Sequence, residues 1–236
     1  RIDWFTATNN TNDPGNLIPD FSDKLTQNLE LQITGSASLD VFGFVVGTAT
    51  FEMTQATADV KDGTTTINDA SLMAISLSNV NLFAGIGASL NDNGTLTPTD
   101  DSINLGGAIG FSINGGSVNM AIVKNQNGTP TITTDDISYM GLDITLAGAQ
   151  LVGVDGLIFK ASGNVLLNKA TDANGLAVTR LNWFAATNAT NDPNDLLPVF
   201  NAKLVSKELL HCSIRKIQHI AKPSWECYCF FYCSNF

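Results

Sequence analysis

Residues 29–41 read LELQITGSASLDV, a stretch in which apolar and polar side chains alternate. Leu31 and Ile33 fall in one phase, whereas Glu30 falls in the other. Successive side chains of a β-strand point to opposite faces of its sheet, so a period of two predicts a strand with one apolar face. No stretch of residues 1–204 has a comparable helical period, and the chain is therefore predicted to be all-β.

Similar alternating runs continue to residue 167, and turn-forming pairs separate them. Asp-Gly at residues 62–63 and 155–156 and Asn-Gly at residues 127–128 tolerate the positive φ angles that tight turns require. This punctuation predicts a mainly antiparallel, long-stranded sheet, closed or folded on itself into a barrel or sandwich. A β-solenoid is the alternative, because short strands separated by glycines could also stack.

A repeated segment divides the chain. Residues 1–25 read RIDWFTATNNTNDPGNLIPDFSDKL, and residues 180–204 read RLNWFAATNATNDPNDLLPVFNAKL, with 15 of 25 positions identical at an offset of 179 residues. We call these segments the N-terminal junction segment and the C-terminal junction segment. They predict that residues 26–179 are the β body of one repeat and that the C-terminal junction segment opens the next repeat.

The junction segments themselves are predicted to contain a different kind of element. Asn-Asp-Pro at residues 12–14 and 191–193 offers a helix N-cap followed by proline at the first helical position, and a later proline limits that helix to about one turn. Trp4 and Trp183 are expected to end the last strand of a unit and to anchor its junction by packing in a core.

The tail, residues 205–236, differs from the rest of the chain. It contains all four cysteines and both histidines. After a loss of two nucleotides, Trp225–Glu226 would encode a glycine where the repeat expects the counterpart of Gly47. We therefore hypothesise that residues 209–236 are an out-of-frame, disordered tail. The cysteine spacing lacks the paired C-x2-C motifs of zinc sites.

Charge and composition limit the possible functions. The chain has 22 acidic and 12 basic residues, a net charge of -10, so it has little to neutralise phosphates and no nucleic-acid partner is expected. Residues 1–204 contain no histidine, which excludes a Ser-His-Asp triad there, and we predict no enzyme activity. The uncharged windows 71–91 and 102–123 carry polar or glycine residues at nearly every second position, which favours strands over a transmembrane helix.

Two acidic pairs are the candidate metal ligands. Asp100 and Asp101 follow TLTPT, and Asp135 and Asp136 follow TPTITT, so the two stretches are predicted to form equivalent corners. Carboxylate oxygens on Asn- and Asp-rich loops suit calcium, although neither stretch has an intact calcium-loop motif. Solvated turns are the alternative.

The chain resembles the long tandem repeats of giant bacterial secreted or surface proteins of adhesin-like type. Three features carry this resemblance: the ND-P motif that recurs after 179 residues, the bias toward Asp, Asn, Thr and Gly, and the scarcity of Lys, Glu, Cys and His. The resemblance implies an extracellular or cell-surface structural or adhesive module, with structural calcium as its candidate cofactor. Its partners would be neighbouring repeats and cell-surface or matrix components. One alternative is an inner apolar sheet face that binds a lipid or other hydrophobic ligand. A second is a carbohydrate-active β-solenoid.

Overall fold

The computed structural model describes residues 1–206 and the backbone of residues 211–215. Six long strands form the central sheet: β1 (Leu29–Val41), β2 (Val45–Lys61), β3 (Thr66–Ile86), β6 (Ile109–Asn125), β7 (Ile137–Val152) and β8 (Lys160–Asp172). A small hairpin of β4 (Ser89–Asn91) and β5 (Ser102–Asn104) lies between β3 and β6 in the chain. The remaining described elements are two helical turns, α1 (Trp4–Ala7) and α2 (Trp183–Ala186), and a short strand, β9 (His211–Arg215).

Neighbouring long strands are antiparallel throughout, in the order β1-β2-β3-β6-β7-β8, and β9 pairs with the outer edge of β8. The predicted all-β, antiparallel, long-stranded sheet is confirmed. Within the described residues β1 pairs with β2 alone, so the sheet is open, and of the forms expected a folded sheet is present and a closed barrel is not. The antiparallel meander also differs from the stacked strands of the solenoid alternative.

The strands connect through the predicted glycine turns, and bulges bend them midway. Turns contain Gly63, Gly128 and Gly156, each with a positive φ. Register shifts interrupt the pairing of β2 with β3, β3 with β6 and β7 with β8. Because a bulge bends its strand and increases its twist, these shifts turn the sheet away from a flat plane.

The two faces of the sheet differ in side-chain size and burial. We call one the open face, and pairing register places on it a row that crosses all six strands: Ile33, Met53, Ile75, Met120, Leu142 and Leu167. None of these six side chains is fully buried. We call the other the capped face, and a neighbouring row on it is Leu29, Ala56, Leu72, Val123, Tyr139 and Ala170, of which all but Leu29 are buried. The core therefore forms on the face with many small residues.

Two segments cover the capped face, one at each end. The C-terminal junction segment covers the end that contains Ala56, Leu72 and Val123. The connection between β3 and β6, residues 87–108, covers the other end, where Phe83 packs in a smaller buried cluster. The core thus depends on the C-terminal junction segment, which the sequence predicts to open the next repeat.

The junction segments depart from their predicted local structure. The helical turn begins at Trp4 and at Trp183, so these residues lie in helical turns and do not end a strand. No helix follows Asp13, because its carboxylate accepts hydrogen bonds from the amides four and five residues later, which holds a loop. Trp183 is buried as expected, whereas Trp4 is 38% exposed.

Two predictions concern the chain ends and membranes. The out-of-frame, disordered tail lies outside the described residues, except for the backbone of residues 211–215. Among the residues that the structure describes, no helix has the length and apolar character needed to cross a membrane.

Candidate functional site

The predicted calcium ligands lie in two loops of similar construction. In the first loop, Asn93 Nδ2 donates to the carbonyl oxygen of Asp100 at 2.6 Å, and the Thr95 hydroxyl donates to its carboxylate at 3.0 Å. In the second loop, Asp135 accepts the corresponding pair of bonds from the Asn-Gly-Thr stretch at residues 127–129. In each loop the first aspartate thus stabilises the loop conformation through these hydrogen bonds. They explain why both loops combine an Asn-Gly-Thr stretch with a following pair of aspartates.

The second aspartate of each pair is less accessible. Asp136 is 6% exposed, and its carboxylate lies 2.7 Å from the Lys124 ammonium. One carboxylate oxygen of Asp136 and one of Asp101 are buried without a hydrogen-bond partner among the described residues. Lys124 already supplies a positive charge at the second corner, so a calcium ion there would compete with it. Calcium binding stays a prediction.

The two acidic pairs lie in different connections of the chain. Asp100 and Asp101 are in the loop between β4 and β5, whereas Asp135 and Asp136 are in the loop between β6 and β7. The described part of the chain holds no group of three or more His, Cys, Asp or Glu residues placed for a metal ion.

A cleft of about 90 Å³ lies where the C-terminal junction segment meets β2 and β3. Glu52, Thr54, Ser76 and Asp195 contribute to its lining. Pockets for drug-sized ligands measure about 300 to 1,000 Å³, so this cleft has room for little more than water.

The candidate functional site is the joint between the C-terminal junction segment and the sheet, and both junction segments share the local structure that builds it. Asp3 and Asn182 each cap a four-residue helical turn by accepting a hydrogen bond from the amide three residues later, at 2.8 and 3.1 Å. Asp13 and Asp192 each accept two further amide bonds, between 2.8 and 3.1 Å. The repeated sequence therefore encodes one local fold twice.

Apolar packing holds the C-terminal junction segment on the capped face. The Trp183 ring lies over Gly141 of β7, where an added Cβ would lie 2.7 to 2.9 Å from three atoms of the indole. Leu181, Leu197 and Phe200 are buried beside it. A glycine and the small alanines of the sheet leave the space that these larger side chains fill.

Four polar side chains of the sheet region bind the backbone of the C-terminal junction segment. Asp62 and Asp143 each accept a hydrogen bond from one of its amides, at 2.8 and 3.1 Å. Asn168 donates to the Leu181 carbonyl at 2.9 Å and to the carbonyl of Val205, the residue that follows the segment, at 2.8 Å. Asn119 donates to the Val199 carbonyl at 3.0 Å. All of these contacts use backbone atoms, so they do not depend on the side chains at those positions.

Asp62 and Asp143, the two acids of the sheet region that accept hydrogen bonds from the C-terminal junction segment, have opposite pKa shifts. Burial would raise the pKa of Asp62, but hydrogen bonds from Asn182, Thr65 and Thr64 outweigh it and lower this pKa below its ordinary value. Burial raises the pKa of Asp143, and its bond from the Asn201 amide offsets only part of that effect. Each of these two carboxylates accepts a hydrogen bond from a backbone amide of the C-terminal junction segment and so helps to hold the segment on the sheet.

Sequence reasoning missed these joint residues. Asp62 reads as a turn residue, and Asp143 and Asn168 fall in the polar phase of alternating strands, where exposed side chains are equally common. Gly141 resembles any strand glycine. The sequence signal for them is indirect. The apolar side chains of the C-terminal junction segment need a surface to pack on, and these residues lie on the sheet face that the segment covers.

Comparison with known proteins adds no family to this description. No protein-family model, curated protein or solved structure matches the chain. Its function is therefore inferred from the joint itself.

Proposed function

We propose that this chain is a non-catalytic structural or adhesive repeat module of a large extracellular bacterial protein, displayed at the cell surface. Residues 180–204, which open the next repeat by their sequence, complete the hydrophobic core of this one, and that observation carries the proposal. Successive modules would then overlap at every joint and would not be separate domains on a flexible linker.

The overlap gives the joint mechanical strength. Six large apolar side chains of the C-terminal junction segment, besides the small Ala186, are at most 6% exposed: Leu181, Trp183, Leu196, Leu197, Phe200 and Leu204. Burying such a set contributes on the order of 10 kcal/mol before the conformational entropy cost of ordering the segment. Pulling two repeats apart would expose this set, so the joint resists extension and fixes the spacing between modules.

The surface suits a module whose partners are other repeats and cell-surface or matrix components. Charged residues make up 14% of the chain, and the balance is acidic. Small polar residues take the place of many charges, which limits long-range attraction to nucleic acids and other polyanions.

A chain of two units tests the proposal: residues 1–179 joined directly to the full chain. We expect small-angle scattering to show one fixed separation between two rigid bodies, and urea unfolding to show that the second unit stabilises the first. The matched control carries a flexible Gly/Ser linker of about 20 residues between Leu25 and Thr26 of the second unit. Scattering that is equally flexible for both chains would contradict a rigid structural array.

The open face supports a second candidate function, the binding of lipid acyl chains. Its central row carries only aliphatic and methionine side chains, and none of them is fully buried. Apolar patches of this kind mark interaction sites on soluble proteins. Vesicles that quench or shift a fluorescent acyl probe in the presence of the full chain would support this function. An equal signal from the variant Met120→Lys would count against the open face as the binding surface.

A further inference from the structure

We propose that the apolar side of the N-terminal junction segment is the docking surface for the capped face of a second copy of this unit, which precedes it in the array. The surface consists of Ile2, Trp4, Leu17, Ile18 and Phe21. In the same joint, β1 would continue the sheet of the preceding copy beyond its β8. This inference rests on the proposed function and deepens it by naming both surfaces of the joint.

The two junction segments have the same local fold but opposite exposure. Trp4, Leu17 and Phe21 are 38%, 87% and 38% exposed, whereas the residues 179 positions later are 0%, 6% and 2% exposed. The tryptophan packs on the phenylalanine in both segments, with ring centroids 5.4 and 5.2 Å apart. The N-terminal junction segment thus already has the shape that fits a capped face.

One position serves as an internal control. Phe5 is 45% exposed in the N-terminal junction segment, and its counterpart Phe184 is 48% exposed although the C-terminal junction segment is docked. The difference in exposure between the two segments is therefore confined to the side that faces the sheet in the docked copy. A segment that was simply unpacked would gain exposure at the docking positions and at the outer position alike.

The polar contacts of the joint would also accept the N-terminal junction segment. Asp62, Asn119, Asp143 and Asn168 bind backbone atoms of the docked segment. The N-terminal junction segment has the same helical turn and matching internal hydrogen bonds, so it can present its backbone in the same way. At the apolar positions, Ile2 and Ile18 have leucine counterparts in the docked segment, which preserves side-chain volume.

The strand edges continue the same arrangement. The backbone of residues 211–215 lies antiparallel along β8, and the 179-residue offset matches it to residues 32–36 of β1. The C-terminal junction segment thus directs the chain to the position that β1 of the next unit would take. By the same offset, β1 of this unit would lie along β8 of the preceding copy and so cover an edge that is otherwise open to pairing.

The two junction segments are also neighbours in this chain. Lys24 Nζ of the N-terminal segment lies 3.0 Å from the Asp195 carboxylate of the C-terminal segment. If this contact repeats along the array, the junction segments form a row. Each segment then lies on the sheet of one unit and contacts the junction segment of the next unit. The occupant of the exposed surface is therefore the sheet of the unit before it, because this chain's own capped face already holds its C-terminal junction segment.

Thiol labelling tests the docking in a background whose four tail cysteines are replaced by serine. Leu17→Cys is placed in the single chain and, separately, in the second unit of the two-unit chain. We expect labelling to slow at least about tenfold in the two-unit chain, since accessible area governs thiol reaction in a folded segment. Phe5→Cys, the matched control, is expected to react at the same rate in both chains, and Leu196→Cys in the single chain gives the rate for a docked segment.

Each outcome decides a different point. Fast labelling of Leu17→Cys in both chains would overturn the docking. If the two-unit chain then still showed rigid scattering, the structural array would stand without it, whereas flexible scattering would remove the proposed function as well. Slow labelling of both Leu17→Cys and Phe5→Cys would indicate non-specific burial and would also overturn the docking. Far-ultraviolet circular dichroism confirms that each variant is folded before its rate is compared.

Discussion

Replacing Gly141 by alanine should weaken the joint while leaving the strand intact. The backbone of Gly141 does not have a positive φ, so alanine is compatible with its conformation. The added Cβ would lie 2.7 Å from Cε2, 2.8 Å from Cδ2 and 2.9 Å from Nε1 of Trp183. The indole must therefore move away from β7, and the C-terminal junction segment must move with it.

The expected magnitude combines two effects of opposite sign. Overpacking a filled core costs about 1 to 3 kcal/mol. Restricting the unfolded chain by Gly→Ala returns about 0.4 to 1 kcal/mol. We therefore expect Gly141→Ala to lower the free energy of unfolding by about 1 to 2 kcal/mol, which for a chain of this size lowers the Tm by about 2 to 8 °C.

Urea and thermal unfolding followed by circular dichroism measure this change. Gly148→Ala is the matched control on the same strand, because its Cβ would meet only the Asn114 carbonyl oxygen, at 3.8 Å. Only the unfolded-state effect remains there, so we expect Gly148→Ala to be neutral or slightly stabilising. Of the two alanine variants, only Gly141→Ala is therefore expected to lower the stability.

A double-mutant cycle with Trp183→Ala decides whether the penalty arises at the joint. Removing the indole removes the contact, so Gly141→Ala should then cost nothing or stabilise the chain. An equal loss with and without Trp183 would refute this reasoning and place the penalty within the strand. An unchanged stability of Gly141→Ala in the native background would refute the packing of the ring over β7.

Three further outcomes follow from the joint and the corner loops. Because burial raises the pKa of Asp143, its ionised form destabilises the fold, and Asp143→Asn should raise the free energy of unfolding at pH 7. That gain should shrink as the pH falls through the raised pKa and vanish below about 3.9, the ordinary aspartate value; urea unfolding at pH 7 and about pH 3.5 measures it. Asn168→Ala removes the side-chain amide that donates two hydrogen bonds, to the carbonyls of Leu181 and Val205. It should lower the free energy of unfolding by about 1 to 3 kcal/mol in the same assay. Asn164→Ala is the control, because Asn164 is a strand asparagine that bonds Thr145. If the corner loops bind calcium, a chelator should lower the Tm of the full chain, and an unchanged Tm would remove that prediction.

Strand residues were predictable because their signal is local. Alternation at residues 29–41 needs only a sheet with two different faces, and Asp-Gly or Asn-Gly pairs need only their own φ angles. The helical turn at Trp4–Ala7 was not predicted, although Asp3 is a good N-cap residue, because the later Asn-Asp-Pro stretch has the stronger helix-start pattern. In the structure, Asp13 and Asp192 bond amides four and five residues away, which no cap pattern in the sequence specifies.

The sequence by itself determined the all-β class, the long strands, the turns between them and the recurrence of one junction segment 179 residues after the other. Only the tertiary structure decided which sheet face holds the core. The larger apolar side chains lie on the open face, whereas the C-terminal junction segment packs on the capped face, where Gly141 and the alanines leave room for Trp183 and Phe200. The sequence does not show which face is buried. That depends on whether the space above the small residues of the sheet matches the volume of side chains from a distant segment. The same reason explains how two closely similar junction segments can be buried at one end of the chain and exposed at the other.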